Sequence, residues 1–239
     1  MTRSVRDKTG AVKPAAVYLE VGRRRVFAGA LEWPGWCRSG RDEDSALEAL
    51  VAYAPRYRRS VGAAGRGLTP PQTVDGLEVV ERLEGNATTD FGAPGIPPSS
   101  DAESVDDTEL KRLVRLLRAS WGTFDRAADA AIGAILRKGP RGGGRDLDAI
   151  VTHVMEADGA YLRELGGAYF DPDGRPRADG VREAMVDALS ARARGEPPAR
   201  RKRSSRLPWT PRYTVRRSAW HALDHAWEIE DRAGPDPKG

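Results

Sequence analysis

The sequence predicts an α+β protein in which a small domain of β-sheet and helix precedes a four-helix bundle. Short apolar segments bounded by glycine and charged residues occupy the region up to residue 84, as is typical of strands. From about residue 106 onwards, apolar residues recur at three- and four-residue spacing, as is typical of amphipathic helices. Residues 85–105, between these regions, are rich in Pro, Gly and Ser and poor in apolar residues, which indicates a linker.

The N-terminal region begins with a polar segment, residues 1–14, which we expect to be a disordered tail. The segments AAVYLEV (15–21) and RRVFAGALEW (24–33) are predicted to form a hairpin of two strands, and residues 36–40 a third strand. Residues 42–57 combine helical apolar spacing with three acidic residues at the start, where the helix dipole favours negative charge. LEVVERL (77–83) is predicted as the fourth strand.

The C-terminal region, residues 106–233, is predicted to contain four helices, which would bury their apolar sides in a bundle. The first extends over about 106–137 and ends before Gly139-Pro140. The others cover 147–165, about 178–194 and about 211–231, and two long loops join the last three helices. Residues 234–239 form a short tail.

The composition limits the partners of the chain. The net charge is +4, but 35 acidic residues are interspersed with the basic ones, and only the run ARRKRSSR (199–206) is concentrated. That loop could contact a phosphate backbone, but it has no interleaved aromatic residues, so nucleic acid is not an expected partner. The sequence contains no apolar stretch long enough to span a membrane. It has one cysteine, Cys37. We therefore expect a cytoplasmic protein without a membrane partner. The sequence is compatible with either a monomer or a homodimer.

All three histidines of the chain fall in the predicted bundle. His221 and His225 lie four residues apart, so their imidazoles project from one face of the fourth helix and could chelate one metal ion. His153, in the second helix, could supply a third nitrogen. Three neutral imidazoles with an open position suit Zn²⁺, and also Ni²⁺ or Fe²⁺.

A helical wheel leaves two interpretations of the fourth helix open. Its apolar side is opposite the face that carries His221 and His225 together with Thr214, Arg217, Ser218 and Glu228. This polar face could be solvated, with two ordinary histidines, or it could line a cleft. His153 lies at the margin of the apolar stripe of its own helix, where it could be a hydrogen-bonded boundary residue rather than a ligand.

Charged residues near the histidines are further candidates for the functional site. Asp224 and Glu228 are either surface carboxylates or acceptors that orient the imidazoles. Arg141 and Arg145 bracket the glycines of RGGGRD before the second helix, where an anionic substrate group could bind. Arg217, on the histidine face, is a third candidate for binding such a group.

The segments DLDAIVTHVMEADGAYL (146–162) and RRSAWHALDHAWEIEDR (216–232) place one histidine in the second helix and HxxxH in the last. In this order residues 106–233 resemble the DinB-like superfamily. The resemblance implies that His153, His221 and His225 hold a divalent metal, most often zinc or nickel. It further implies a metal-dependent transferase, lyase or isomerase that acts on an electrophilic substrate with a low-molecular-weight thiol such as mycothiol or bacillithiol. Asp224 and Glu228 are then the candidate catalytic carboxylates, and Arg141, Arg145 and Arg217 the candidate cofactor-binding residues.

The N-terminal segment FAGALEWPGWCRSGRDEDSALEALVAY (27–53) runs from a strand through Pro34-Gly35 into an acidic-started helix. On these features residues 15–84 resemble HicB-like antitoxin domains, which implies a degenerate ribonuclease-H-like fold that binds a partner. No DNA-binding element follows it here. The alternative function is therefore a non-enzymatic binding or regulatory protein, with a structural metal in the bundle and a partner on the HicB-like domain.

Overall fold

A computed structural model describes residues 13–138, 144–170, 177–199 and 207–233. Within these residues the protein is mixed α+β, with a small four-stranded sheet near the N-terminus and six α-helices. The chain divides into two compact units, Met1–Glu103 and Ser104–Gly239. Among the helices described, none combines the length and the apolar character that crossing a membrane requires.

The first unit is built on strands β1 (Ala15–Val21), β2 (Val26–Ala30), β3 (Cys37–Gly40) and β4 (Leu77–Glu84). Their order in the sheet is β3-β2-β1-β4. The first three strands pair antiparallel as a meander, whereas β4 pairs parallel with β1. A parallel neighbour requires a crossover, and helix α1 (Glu43–Val61) provides it. The four predicted strands and the helix between the third and fourth are all present.

Helix α1 begins at a capping box. The Asp42 carboxylate accepts from the Ser45 backbone N–H, and the Ser45 hydroxyl oxygen accepts from the Asp42 backbone N–H. The helix continues past residue 57, the predicted end, to Val61. It buries one apolar side against β2 and β3. The buried side chains on this side include Leu50, Ala54 and Tyr57.

The predicted linker, residues 85–105, contains a short helix α2 (Ala87–Phe91) and a 3₁₀ turn (Ser99–Ala102). It is anchored by Glu20, a fully buried side chain of β1. The Glu20 carboxylate accepts from the Thr89 hydroxyl at 2.5 Å, the Gly95 N–H at 2.9 Å and the Ile96 N–H at 3.1 Å. Composition indicated only a linker here, because polar anchoring of this kind leaves no apolar pattern in the sequence.

The second unit consists of helices α3 (Asp107–Ala130), α4 (Leu147–Leu165), α5 (Ala178–Ala193) and α6 (Pro211–Ala233). Asp106 and Asp146 cap α3 and α4 by accepting backbone N–H groups of the first turn at 2.8 Å. The predicted extension of the first helix to residue 137 is wrong. The chain turns after Ala130 with Gly133 at φ +79°, and Ile135 is 96% exposed, so its helical spacing reflected no packing.

Helix α6 contacts each of the other three helices of this unit. Most of its residues are consequently buried, on its polar face as well as its apolar one. The core contains aliphatic and aromatic side chains from all four helices, among them Leu117, Trp121, Ile150, Val154, Leu162, Met185, Val215 and Ala219.

Candidate metal centre

The three histidines converge between α4 and α6. His153 comes from α4, and His221 and His225 come from successive turns of α6. One ring nitrogen of each lies within 4.8 Å of those of the other two. The Nε2 atoms of His153 and His221 are 3.2 Å apart. Two nitrogens on a tetrahedral zinc ion, each at about 2.0–2.1 Å, would be about 3.4 Å apart, so this edge fits a shared metal.

The face of α6 that carries the histidines is not solvated. His221 is 6% exposed and His225 9%, and Thr214 and Ser218 on the same face are fully buried. Of the two interpretations of the helical wheel, the structure therefore contradicts the solvated one. His153 is only half-buried, which leaves one side of the group accessible from solvent.

Burial also sets the charge of the imidazoles. Desolvation lowers the pKa of His221 well below its usual value, and the neighbouring His225 lowers it further. Desolvation is also the main cause that lowers the pKa of His153, followed by the positive charge of Arg145. Both rings are therefore neutral at neutral pH, which is the form that binds a metal ion.

Glu228 fixes the orientation of His225. Its Oε2 lies 2.8 Å from His225 Nδ1, which leaves Nε2 of that ring for a ligand. The hydrogen bond from His225 is the main cause of the lowered pKa of Glu228, so this carboxyl group is ionised. A carboxylate behind a ligating imidazole is the usual arrangement at protein metal sites. Asp224 is half-buried on α6, and it is not part of the group whose ligand atoms converge.

Arg232 holds Glu228 and two other segments of the chain. It donates to Glu228 Oε1, to the Arg137 carbonyl and to the Arg145 carbonyl, each at 2.7 Å. Its guanidinium passes close to Gly144, where a Cβ atom would lie 2.7 Å from Nη2, and Gly144 has φ +140°. This glycine of RGGGRD therefore permits a close approach of Arg232 immediately before α4.

Aromatic rings line one side of the group. Tyr161 stacks on Trp209 with ring centroids 5.3 Å apart, and it meets the His221 ring edge-on at 5.8 Å. The Trp220 ring lies 6.0 Å from His221. The Arg217 guanidinium lies over both Tyr161 and Trp220, at 5.4 and 4.6 Å from their centroids.

Most of the candidates from sequence therefore lie at one place. Glu228 contacts His225, Arg217 lies beside the rings that flank His221, and Arg145 is close enough to lower the pKa of His153. Arg141 and residues 200–206 of the basic run lie outside the described residues.

Sequence reasoning missed Arg232, Tyr161 and Trp209 as parts of the site. The four-residue spacing of Glu228 and Arg232 is a signal that could have found the first, because such pairs face each other on a helix. Trp209 lies in the loop before α6, where its backbone N–H donates to the Glu164 carbonyl at 2.8 Å. Nothing local in the sequence indicates that contact.

Comparisons of this chain with protein-family models, with curated proteins and with solved structures gave no match. What the site can do chemically follows from its own residues: three imidazole nitrogen donors, one imidazole oriented by a carboxylate, and a side accessible from solvent.

Proposed function

We propose that the second unit is a DinB-like bundle that binds a divalent metal ion through His153, His221 and His225. We further propose that it acts as a metal-dependent enzyme with a low-molecular-weight thiol such as mycothiol or bacillithiol. The reaction class is a transferase or a related lyase or isomerase. Zinc is the first candidate metal, because the donor set is three imidazole nitrogens and a tetrahedral site would keep a fourth position open. Nickel and ferrous iron are the other candidates.

The observation that carries the proposal is the convergence of three buried or half-buried imidazoles, two of them 3.2 Å apart between Nε2 atoms. At this distance one imidazole can donate a hydrogen bond to the other, but a shared ligand such as a metal ion would use one nitrogen of all three rings. The Glu228 carboxylate, which orients His225 and remains ionised, supports the same assignment. The half-exposed side at His153 favours a site open to a substrate over a closed structural one.

The thiol in this proposal is a small molecule, because the chain has one cysteine and Cys37 is buried in β3 of the first unit. A divalent metal bound at the histidines would supply a Lewis acid that lowers the pKa of a coordinated thiol. The aromatic wall of Tyr161, Trp209 and Trp220 would exclude water from the same place.

Metal analysis of the purified protein tests the metal site. We expect about one equivalent of divalent metal per chain, as for a single site, and its loss in both His221→Ala and His153→Gln. Circular dichroism of each variant separates loss of metal from loss of fold. A folded wild-type protein that binds no zinc, nickel or iron contradicts the proposal.

Thermal melts test the thiol. Mycothiol or bacillithiol should raise the Tm of the zinc-loaded protein, because a ligand that binds only the folded state stabilises it. The same thiols should have no effect on the metal-free His221→Ala variant. A protein that binds zinc but is not stabilised by either thiol would instead support the alternative, a binding or regulatory protein with a structural metal.

For the first unit we propose a HicB-like domain that binds a partner. This rests on its order of elements, strand–strand–strand–helix–strand, with β4 parallel to β1. Affinity capture with residues 1–103 as bait tests whether this unit retains a partner. Failure to retain any protein from the source cell contradicts it.

A further inference from the structure

A short segment of the first unit presents a phenylalanine to solvent on a fixed support. Phe91, the last residue of α2, is 87% exposed, and no residue from 91 to 100 is charged. The buried Glu20 carboxylate holds this segment by hydrogen bonds from the Thr89 hydroxyl and the Gly95 N–H. A large aromatic side chain is therefore kept in solvent at a defined place, and aromatic residues are enriched where proteins bind each other.

Helix α2 packs against the turn between β1 and β2. The Asp90 carboxylate accepts a hydrogen bond from the Arg24 backbone N–H at 2.8 Å. A Cβ atom at Gly92 would lie 3.8 Å from the guanidinium carbon of Arg25. The residues on both sides of Phe91 thus contact this turn, so Phe91 itself lies beside it.

The turn carries three consecutive arginines, Arg23, Arg24 and Arg25. The first two are exposed, and the third is half-buried and donates to the Ser39 hydroxyl at 3.2 Å. Within the part of the chain that the structure describes, none of the three forms an ion pair with a carboxylate. The turn therefore offers several guanidinium groups to a negatively charged partner next to an exposed aromatic ring.

This positive charge is local to the turn. Residues 1–103 contain 14 basic and 14 acidic side chains, so the first unit has no net charge at neutral pH. Nucleic acids bind extended basic surfaces, and the Asp90 carboxylate beside the turn would repel a phosphate backbone. An aromatic ring next to arginines is instead the composition of protein–protein interfaces. The complementary partner is a protein segment with carboxylates beside an apolar residue.

We propose that Phe91, Arg23, Arg24 and Arg25 form a surface, here the Phe91 surface, on which the first unit binds an acidic segment of a partner protein. This rests on the partner binding proposed for this unit, for which it names the surface and the chemistry of the partner. The Phe91 ring packs against an apolar side chain of the segment, which removes both from water. The guanidinium groups pair with its carboxylates, whose two oxygens match the planar fork of arginine.

Selection of random dodecapeptides on phage against the full-length protein tests this surface. We expect the selected peptides to be enriched in Asp and Glu around an apolar or aromatic residue. The commonest peptide, synthesised with a fluorescent label, then gives dissociation constants by fluorescence anisotropy. Phe91→Ser should weaken its binding about tenfold or more, as for an aromatic residue at the centre of an interface. The double variant Arg23→Glu/Arg24→Glu should also weaken it about tenfold or more, because it opposes like charges.

Two variants serve as matched controls. Val80→Ser shortens the other large apolar side chain that is exposed in the described part of the first unit, and Arg66→Glu reverses an exposed arginine outside the Phe91 surface. Both should bind the peptide like the wild type, and circular dichroism should show that every variant is folded.

Two results would overturn the proposal. The first is a set of selected peptides without enrichment in acidic residues. The second is an acidic peptide whose binding is unchanged in either Phe91→Ser or the double arginine variant. Single-stranded oligo(dT) that displaces the peptide, and whose own binding is lost in the same variants, overturns the choice of a protein partner.

Failure of the Phe91 surface and failure of the proposed partner binding give different results. If the capture experiment retains a cellular protein, and full-length bait carrying Phe91→Ser retains it equally, the partner binds elsewhere and the Phe91 surface is rejected. If acidic peptides bind in a way that depends on Phe91 but no cellular protein is retained, the surface is supported and the proposed partner binding is contradicted.

Discussion

At the scale of single residues, the contact between Glu228 and His225 decides which imidazole nitrogen faces the centre of the site. The Glu228 carboxylate accepts a hydrogen bond from Nδ1–H, which leaves Nε2 of that ring for a metal ion. Arg232 holds the same carboxylate from its other oxygen. The ring is thus held in one tautomer and one orientation by two residues that do not themselves touch the ligand position.

Glu228→Gln should lower the affinity for zinc by about 10–100-fold, because an amide orients and polarises the imidazole less well than a carboxylate. Competition with a chromophoric chelator measures this change. The control for the loss of one negative charge is Glu183→Gln, which replaces an exposed carboxylate of α5 that pairs with Arg118. This variant should bind zinc like the wild type. Equal zinc affinities of wild type and Glu228→Gln would show that Glu228 is not a positioning residue.

At the scale of elements, Gly144 determines how the chain enters α4. A Cβ atom there would lie 2.7 Å from Nη2 of Arg232 and would push that guanidinium away from Glu228 and the Arg145 carbonyl. Gly144→Ala should therefore both destabilise the protein and weaken zinc binding. Chemical denaturation and chelator competition measure the two effects.

Gly133→Ala provides the matched comparison, because Gly133 also has a positive φ, +79°, but has nothing within 4 Å of its Cβ position. It should cost about 1–2 kcal/mol of backbone strain and leave zinc affinity unchanged. If both alanine variants bind zinc like the wild type, the position of Arg232 does not matter to the site.

The segment from α2 to Ile96 depends on one buried carboxylate. Glu20→Ala would leave the Thr89 hydroxyl and the Gly95 and Ile96 N–H groups without their acceptor. We expect a loss of about 3–5 kcal/mol in the free energy of unfolding of the first unit, because three donors lose their acceptor and each buried donor left unsatisfied costs about 1–3 kcal/mol. Denaturant titration measures it, and Glu78→Ala, at an exposed position of β4, should change it by less than about 0.5 kcal/mol. A small loss in Glu20→Ala would mean that the segment is held by other contacts.

How far the elements could be predicted depends on whether their cause is local. The strands and the helices α4, α5 and α6 follow from apolar spacing within each segment, and their predicted bounds are close to the observed ones. The end of α3 cannot be predicted from this spacing, because Ile135 continues the helical pattern although the chain has already turned at Gly133. The fold of residues 87–96 depends on Glu20, which is 69 residues from Thr89 in sequence.

The same distinction applies to the candidate site. The spacing of His221 and His225 is local and was sufficient to select them. The contacts of Arg232 with Arg137 and Arg145 span 95 and 87 residues, and the Tyr161–Trp209 stack crosses from α4 to the loop before α6. Such contacts appear only once the helices are packed.

At the scale of the whole bundle, a buried charged cluster connects three of its helices. Asp158 of α4 is 2% exposed and receives only long contacts, 3.4 Å from Trp121 Nε1 of α3 and 3.5 Å from Arg182 Nε of α5. Arg182 makes its shorter contacts, 2.8 and 2.9 Å, with Asp125 of α3. Because burial outweighs these contacts, the pKa of Asp158 is raised to about 6.

The raised pKa predicts that Asp158 makes the bundle less stable as pH rises. A carboxyl group with a folded pKa of about 6 and an unfolded value of 3.8 contributes its full stabilisation below pH 3.8 and loses it as pH rises through about 6. Over this window the loss is on the order of 3 kcal/mol. In Asp158→Asn this pH dependence should disappear, so the stability of the variant relative to wild type should increase from pH 4.5 to pH 7.

Denaturant titrations of both proteins at several pH values across this window measure the difference. Asp187→Asn, at an exposed position of α5, should run parallel to the wild type throughout. A constant difference between Asp158→Asn and wild type from pH 4.5 to pH 7 would contradict a titration of Asp158 in this range.

The separation of His153 and His221 by 68 residues has a kinetic consequence. A metal ion bound to both would join α4 to α6 as a reversible cross-link around a loop that includes all of α5. While the ion is bound, local separation of these two helices would require the loss of at least one imidazole ligand, so the zinc-loaded bundle should open less often than the metal-free one. Amide hydrogen exchange in α4 and α6, followed with and without zinc, would thus measure local opening of the bundle without any chemical denaturant.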